Sequence, residues 1–231
     1  LTVKDHEDLK AAAAMQVDYI AVSFVRHASD ILTARKILKG DNPAVGIIAK
    51  IERSEAIEDV EEIIKTSDGI MIARGDLGVE IGDAEVPAIQ KRIIERARSL
   101  DKPVITATQM LESMVDNATP TRAEASDVAN AILDGTDALM LSGETSVGRY
   151  PICSVKMMDR IARDAESSEF YLHRHMVGRL EGFRVERRAV CEAAVQIARE
   201  VDADCVVVYT LSGTTAWIMS ELRLQRPVLA L

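Results

Sequence analysis

Two short strings hold the residues best suited to chemistry in this chain: Ile47-Ile48-Ala49-Lys50-Ile51-Glu52 and Ala73-Arg74-Gly75-Asp76-Leu77-Gly78. Each is an apolar run that stops at charged residues. Lys50 and Glu52 are two apart, so on a strand of period two their side chains leave the same face. Asp76 sits between glycines, and Gly75 and Gly78 would let the backbone approach a ligand and offer N–H groups to a carboxylate or phosphate. A strand-end lysine can neutralise a transferring phosphoryl group or a developing enolate, and Glu52 with Asp76 supplies two hard oxygen ligands for Mg2+, or for Mn2+ in its place. Taken singly, the same residues fit a strand running into solvent and a tight glycine turn.

Two further apolar runs end in the same way. Ile105-Thr106-Ala107 leads to Thr108, a hydroxyl able to donate to a phosphate or relay a proton, although threonine is also a favoured strand residue. Ala138-Leu139-Met140-Leu141 leads to Ser142-Gly143-Glu144. Four successive runs with small polar or charged residues at the same end argue for one site built from all of them.

Such a site needs a repeating scaffold. Strand-length runs at 19–24, 45–51, 69–73, 103–107 and 138–141 alternate with helical periodicity at 30–38, 55–65, 86–99 and 122–133. Ser29-Asp30, Ser54-Glu55 and Pro120-Thr121-Arg122 read as helix starts, and Gly40 and Gly135 as stops. This order predicts βαβ units and a parallel sheet. The unbroken runs 47–49 and 138–141 predict strands covered on both faces. Functional groups at the C-terminal strand ends point to a (β/α)8 barrel. A doubly wound sheet would carry a Gly-rich phosphate loop, and neither GxGxxG nor GxxxxGK[ST] occurs. A helix over 152–171 and a polar stretch, His173–Val185, lead to a second unit with helix 188–201, strand 205–210, helix 215–223 and strand 228–231. The expected fold is α/β: a partial TIM barrel over residues 1–169, then the start of a C-terminal α/β domain over 170–231.

Composition narrows the function class. Of 231 residues 48% are hydrophobic and 28% charged, ordinary for a globular protein. The formal net charge of −9 argues against nucleic acid as a partner, and no apolar run is long enough to span a bilayer. Cys153, Cys191 and Cys205 are odd in number and lack CxxC spacing, which suits reduced thiols in a cytoplasmic protein. His173 and His175 are two apart and would not share a helix face. The nine methionines, Trp217 and the charged run 55–65 fit core positions, a helix start and a solvated helix face.

Residues 47–57 resemble the active-site signature of the pyruvate kinase family. The similarity continues through 68–78, 107–114, 120–130 and 140–145, in the family's order, and is strong from Leu1 to about Phe170. It implies Mg2+-dependent transfer of the phosphoryl group of phosphoenolpyruvate to ADP, giving ATP and an enolate that is protonated to pyruvate. By that resemblance Lys50 would stabilise the transition state, Glu52 and Asp76 would ligate Mg2+, and the Gly75 and Asp76 N–H groups would bind the substrate carboxylate. Thr108 would contact the substrate near the face that is protonated, with Arg74 and Ser142 as lesser substrate-binding candidates. The turn Thr210–Ala216, with Ser212, Gly213, Thr214 and Thr215 at a helix start, corresponds to a sugar-phosphate effector site or to an ordinary N-cap loop. The family also implies K+, a homotetramer and a cytoplasmic, glycolytic setting.

The chain would hold about strands 4–8 of the family barrel. The K+ ligands, lid and first three strands would precede Leu1, and most of the C-terminal domain would follow Leu231, making the chain an internal piece of a longer protein. An open barrel exposing about 1,000 Å² of apolar surface costs roughly 25 kcal/mol, so residues 1–231 alone are expected to fold poorly or to be inactive. Two other readings compete: a Mg2+-enolate carbon–carbon lyase on a related barrel, which would need no nucleotide, and a non-catalytic paralogue serving as a binding module.

Overall fold

The structure is a computed structural model and describes residues 2–40, 44–174 and 185–231. The chain divides into two compact units, Leu1–Tyr171 and Leu172–Leu231. His175, and with it the His173–His175 pairing and the polar stretch up to Val185, lies outside the described residues.

The first unit runs α1 (Val3–Ala14), β1 (Tyr19–Val22), α2 (Ala28–Leu38), β2 (Gly46–Ile51), α3 (Ser54–Glu58), α4 (Val60–Thr66), β3 (Gly69–Ala73), α5 (Arg74–Ile81), α6 (Val86–Ser99) and β4 (Val104–Ala107). It continues through a 3-10 turn (Glu112–Val115), α7 (Arg122–Asp134), β5 (Ala138–Met140), α8 (Gly143–Ser146) and α9 (Pro151–Glu166), and α10 (Glu169–Arg174) follows. β1 to β5 form one parallel sheet in sequence order, with Lys50 opposite Met71 and Ala73 opposite Ala107. A doubly wound sheet reverses its order at a switch point, whereas strands laid down in order are the wall of a barrel. The polar strand ends therefore share one rim.

Two aspartates set the register from the opposite end. Asp68 Oδ2 accepts from Ile47 N and Asp137 Oδ2 from Val104 N, both at 2.8 Å, while their own N–H groups reach Ile47 O and Val104 O. Each ties the start of one strand to the next. Gly46 stands opposite Tyr19, whose ring lies where a Cβ on Gly46 would be, at 2.5 Å, so any side chain there would displace the ring. Ile31, Ile63, Ile64, Ile93 and Ile94 from α2, α4 and α6 pack with Ile47, Ile51, Ile70 and Ile72 in one core. A second core joins Met110, Leu111 and Met114 to Val128, Ala131 and Ile132 of α7 and Ala165 of α9.

Several expectations need correction. Among the described strands only β3 is buried along its whole length; β2 alternates, with Ile48 and Lys50 half-buried, and Ala138 of β5 is exposed. The Arg74–Gly78 segment is not a glycine turn but the first part of α5, whose Leu77 is fully buried in the core. Segment 55–65 breaks at Asp59, and 152–171 breaks after Glu166. Asp59 Oδ2 instead accepts from Ala28 N at 2.8 Å. The cap of α2 is His27, whose N–H is held by Asp30, and not Ser29, whereas Asp30 is the first-turn acid as expected. Helix α1, closed by a Thr2–Asp5 capping box, was not expected at all.

In the second unit, α11 (Val185–Glu200), β6 (Val206–Val208), α12 (Thr214–Glu221) and β7 (Val228–Ala230) follow in order, and β6 and β7 pair in parallel. Cys191, Val195, Val208, Ile218, Met219 and Leu222 form its core.

Candidate active site

Lys50 and Glu52 leave β2 on the same side, as their spacing requires. Glu52 is 1% exposed, and its Oε2 accepts from Phe24 N at 2.8 Å, just past the end of β1. Lys50 Nζ donates to Ser23 Oγ at 2.9 Å and lies 2.5 Å from Glu52 Oε1. That second approach is an ion pair without the angles of a hydrogen bond, so Oε1 is buried with no hydrogen-bond partner. The ammonium offsets the charge of this buried oxygen, whose lone pairs remain open to a further ligand. It suits a hard cation.

The next strand end supplies Asp76. It is exposed in the first turn of α5, where the helix dipole favours a negative charge. Among the described residues no cluster of three or more His, Cys, Asp and Glu side chains could hold a metal ion. Glu52 and Asp76 are a pair of carboxylates at neighbouring strand ends, the oxygen donor type that a hard cation takes.

Thr108 and Gln109 follow β4 with φ of 66° and 52°, in the left-handed region that favours glycine. Thr108 Oγ1 accepts from Gly75 N at 2.8 Å and donates to Ala107 O at 2.6 Å. The Gly75 N–H, expected to meet the substrate carboxylate, is thus donated to Thr108. Arg74 is 7% exposed and committed to the end of the next strand: Nε and Nη2 donate to Thr108 O, Nη2 also to Gln109 O, and Nη1 to both carboxylate oxygens of Asp127 on α7.

The last strand end is built around Glu144, fully buried, which accepts from Leu111 N at 3.0 Å and Ser142 N at 2.8 Å. Ser142 Oγ is shielded from solvent and has no hydrogen-bond partner. Nearby, burial pushes the Glu124 carboxyl up, but hydrogen bonds from Ser113 and Thr121 outweigh it and hold the group below the usual carboxylate range. In the second unit, Ser212 Oγ and Thr214 Oγ1 are 2.9 Å apart, and Gly213, at φ 76°, precedes α12 with Thr214 and Thr215 in its first turn.

Ser23, Phe24, Asp127 and Glu144 were not among the expected site residues. Glu144 left a signal, as part of the polar segment Ser142-Gly143-Glu144 that ends an apolar run.

Residues 1–155 match the pyruvate kinase barrel domain and residues 188–231 the pyruvate kinase alpha/beta domain. All of the chain aligns with the pyruvate kinases of Agrobacterium vitis (48% identical, covering 47% of that protein), Sporosarcina psychrophila (48%, covering 39%) and Thermotoga maritima (42%, covering 49%). The chain thus spans about half the length of the curated relatives it matches. In-order parallel strands, a rim of lysine, carboxylates and threonine, and two domain matches lead to one assignment: the chain belongs to the pyruvate kinase family.

Proposed function

We propose that the protein to which these residues belong transfers the phosphoryl group of phosphoenolpyruvate to ADP. The observation that carries this reading is the Lys50–Glu52 pair, an ammonium held by Ser23 and a buried carboxylate with one oxygen left without a hydrogen bond. Phosphoryl transfer depends on positioning and charge neutralisation more than on covalent help from the protein. Lys50 is fixed by its partners and sits 23% exposed, so its charge costs little reorganisation when negative charge develops at the phosphoryl group and enolate oxygen. Glu52 and Asp76 would hold Mg2+, which supplies charge neutralisation at the substrate's carboxylate and enol oxygens. The Asp76 amide, at the start of α5, would bind that carboxylate, joined by the Gly75 amide when the Thr108 hydroxyl releases it. Thr108, whose oxygen already both donates and accepts, is suited to passing a proton towards the enolate. Ser142 would add a hydroxyl beside the substrate.

The same reading carries the family's K+ requirement, a homotetramer and a cytoplasmic location. Among the described residues no helix is long and apolar enough to cross a membrane. The paired hydroxyls of Ser212 and Thr214, with Thr215, would contact a sugar-phosphate effector.

The test is pyruvate formation from phosphoenolpyruvate with ADP and Mg2+ each present or omitted, in the full-length protein and its Lys50→Met variant. The expected result is turnover that needs both and falls by about 10³-fold or more in the variant. Pyruvate formed without nucleotide would establish a lyase instead, and no turnover would leave a binding module. Residues 1–231 alone are expected to show none.

A further inference from the structure

The guanidinium of Arg74 faces the Thr108–Gln109 turn that ends β4. Two consecutive non-glycine residues in the left-handed region are disfavoured, and such turns persist only where the surroundings over-determine them. Here the carbonyls of both residues converge on one planar donor, which reaches Thr108 O through Nε at 3.2 Å and Nη2 at 2.9 Å, and Gln109 O through Nη2 at 2.8 Å. On the other side of the guanidinium Nη1 donates to both carboxylate oxygens of Asp127, at 2.7 and 2.9 Å, balancing a charge that would be costly to bury unpaired. The adjacent Gly75 N–H takes the Thr108 hydroxyl. The start of α5 therefore grips the turn twice, on its carbonyls and on its side chain.

We propose that Arg74, held by Asp127, is a positioning residue that sets the Thr108 hydroxyl for the reaction by fixing the backbone of the left-handed turn. This rests on the functional reading above, in which Thr108 meets the substrate. Lysine keeps the charge but has no planar fork and cannot reach both carbonyls and Asp127 at once.

The experiment is a set of double-mutant cycles in the full-length protein, with kcat and KM for phosphoenolpyruvate measured for Arg74→Lys, Asp127→Asn, Thr108→Val and the two doubles that carry Thr108→Val. Arg74→Lys and Asp127→Asn should each lower kcat by about 10- to 100-fold, with KM changed by less than about threefold. In the Thr108→Val background the same substitutions should cost less than about threefold. A purely structural role would give the same loss in either background, and that result, or a full-rate Arg74→Lys enzyme, overturns the proposal. Asp127→Asn, close to isosteric, serves the same cycle if Arg74→Lys does not fold. Wild-type protein without turnover dependent on phosphoenolpyruvate and ADP would overturn the functional reading and this one with it. Wild-type turnover with multiplicative losses overturns the positioning role alone.

Discussion

Glu52 divides its two oxygens between structure and ligand. Oε2 is committed to the Phe24 amide, whereas Oε1 has only the ammonium of Lys50 beside it. Glu52→Gln keeps an oxygen for Phe24 and removes the charge, so it separates the two duties. The Mg2+ concentration giving half-maximal turnover should rise by at least about 10-fold in this variant, with little change in melting temperature. A Mg2+ titration that superimposes on that of the wild type would remove Glu52 from the metal site. The pairing of Lys50 with Glu52 was legible in the sequence because a strand alternates its side chains with period two. The partners of this site were not: Ser23 lies 27 residues from Lys50, Phe24 28 from Glu52, Glu144 33 from Leu111 and Asp127 53 from Arg74. Only the pairing of neighbouring strands and the packing of helices on them bring them together. The left-handed turn at Thr108 was hidden for a different reason, since threonine's own preference is for the strand.

Between elements, ion pairs do what apolar stripes cannot. The run 55–65, read from the sequence as a solvated face, includes Glu61, whose carboxylate bonds the Arg96 guanidinium of α6 and also pairs with Lys65. The Arg96 hydrogen bonds, against a burial cost and with help from Lys65, hold the Glu61 carboxyl down to about 2, from an ordinary 4.5. A carboxyl depressed in the folded state stabilises fully above its unfolded value and loses that contribution as pH falls through the folded one, here between about 4.5 and 2. Because the pair is over a third exposed, screening keeps its worth to about 1 kcal/mol or less. Glu61→Gln should therefore lower the unfolding free energy at pH 7 by up to about that amount, and the gap to the wild type should narrow as pH falls from about 4.5 and be gone below about 2. Urea melts of both proteins at the two pH values check this, and a gap that persists in acid would show that Glu61 acts through packing. The α5 helix was missed because two glycines in five residues read as a turn, yet burial of Leu77 and the grip of Arg74 on the next strand end outweigh their cost to a helix.

At the scale of the molecule, the sheet is an arc with two edges. β1 pairs only with β2 and β5 only with β4 among the described strands, and Tyr19, Ala21 and Ala138 on those edges are exposed. Unpaired strand edges template association with other chains, and closure of a barrel removes them. The order of strands and their shared rim could be read from the alternation of elements, but the strength of each strand could not. β3, buried throughout at the centre of the arc, and the short β5 at its margin carry similar apolar runs. The difference lies in their neighbours. Residues 1–231 expressed alone should therefore protect the amides of β3 from hydrogen exchange at least about 10-fold better than those of β1 and β5, and should associate as concentration rises. In the full-length protein, where the edges are expected to pair, that disparity should shrink and turnover should appear. Hydrogen exchange read by mass spectrometry, with sedimentation over a range of concentrations, decides it. Uniform protection in a monomeric 231-residue chain would mean that the arc stands without closure, and that its rim is assembled by the five strands themselves.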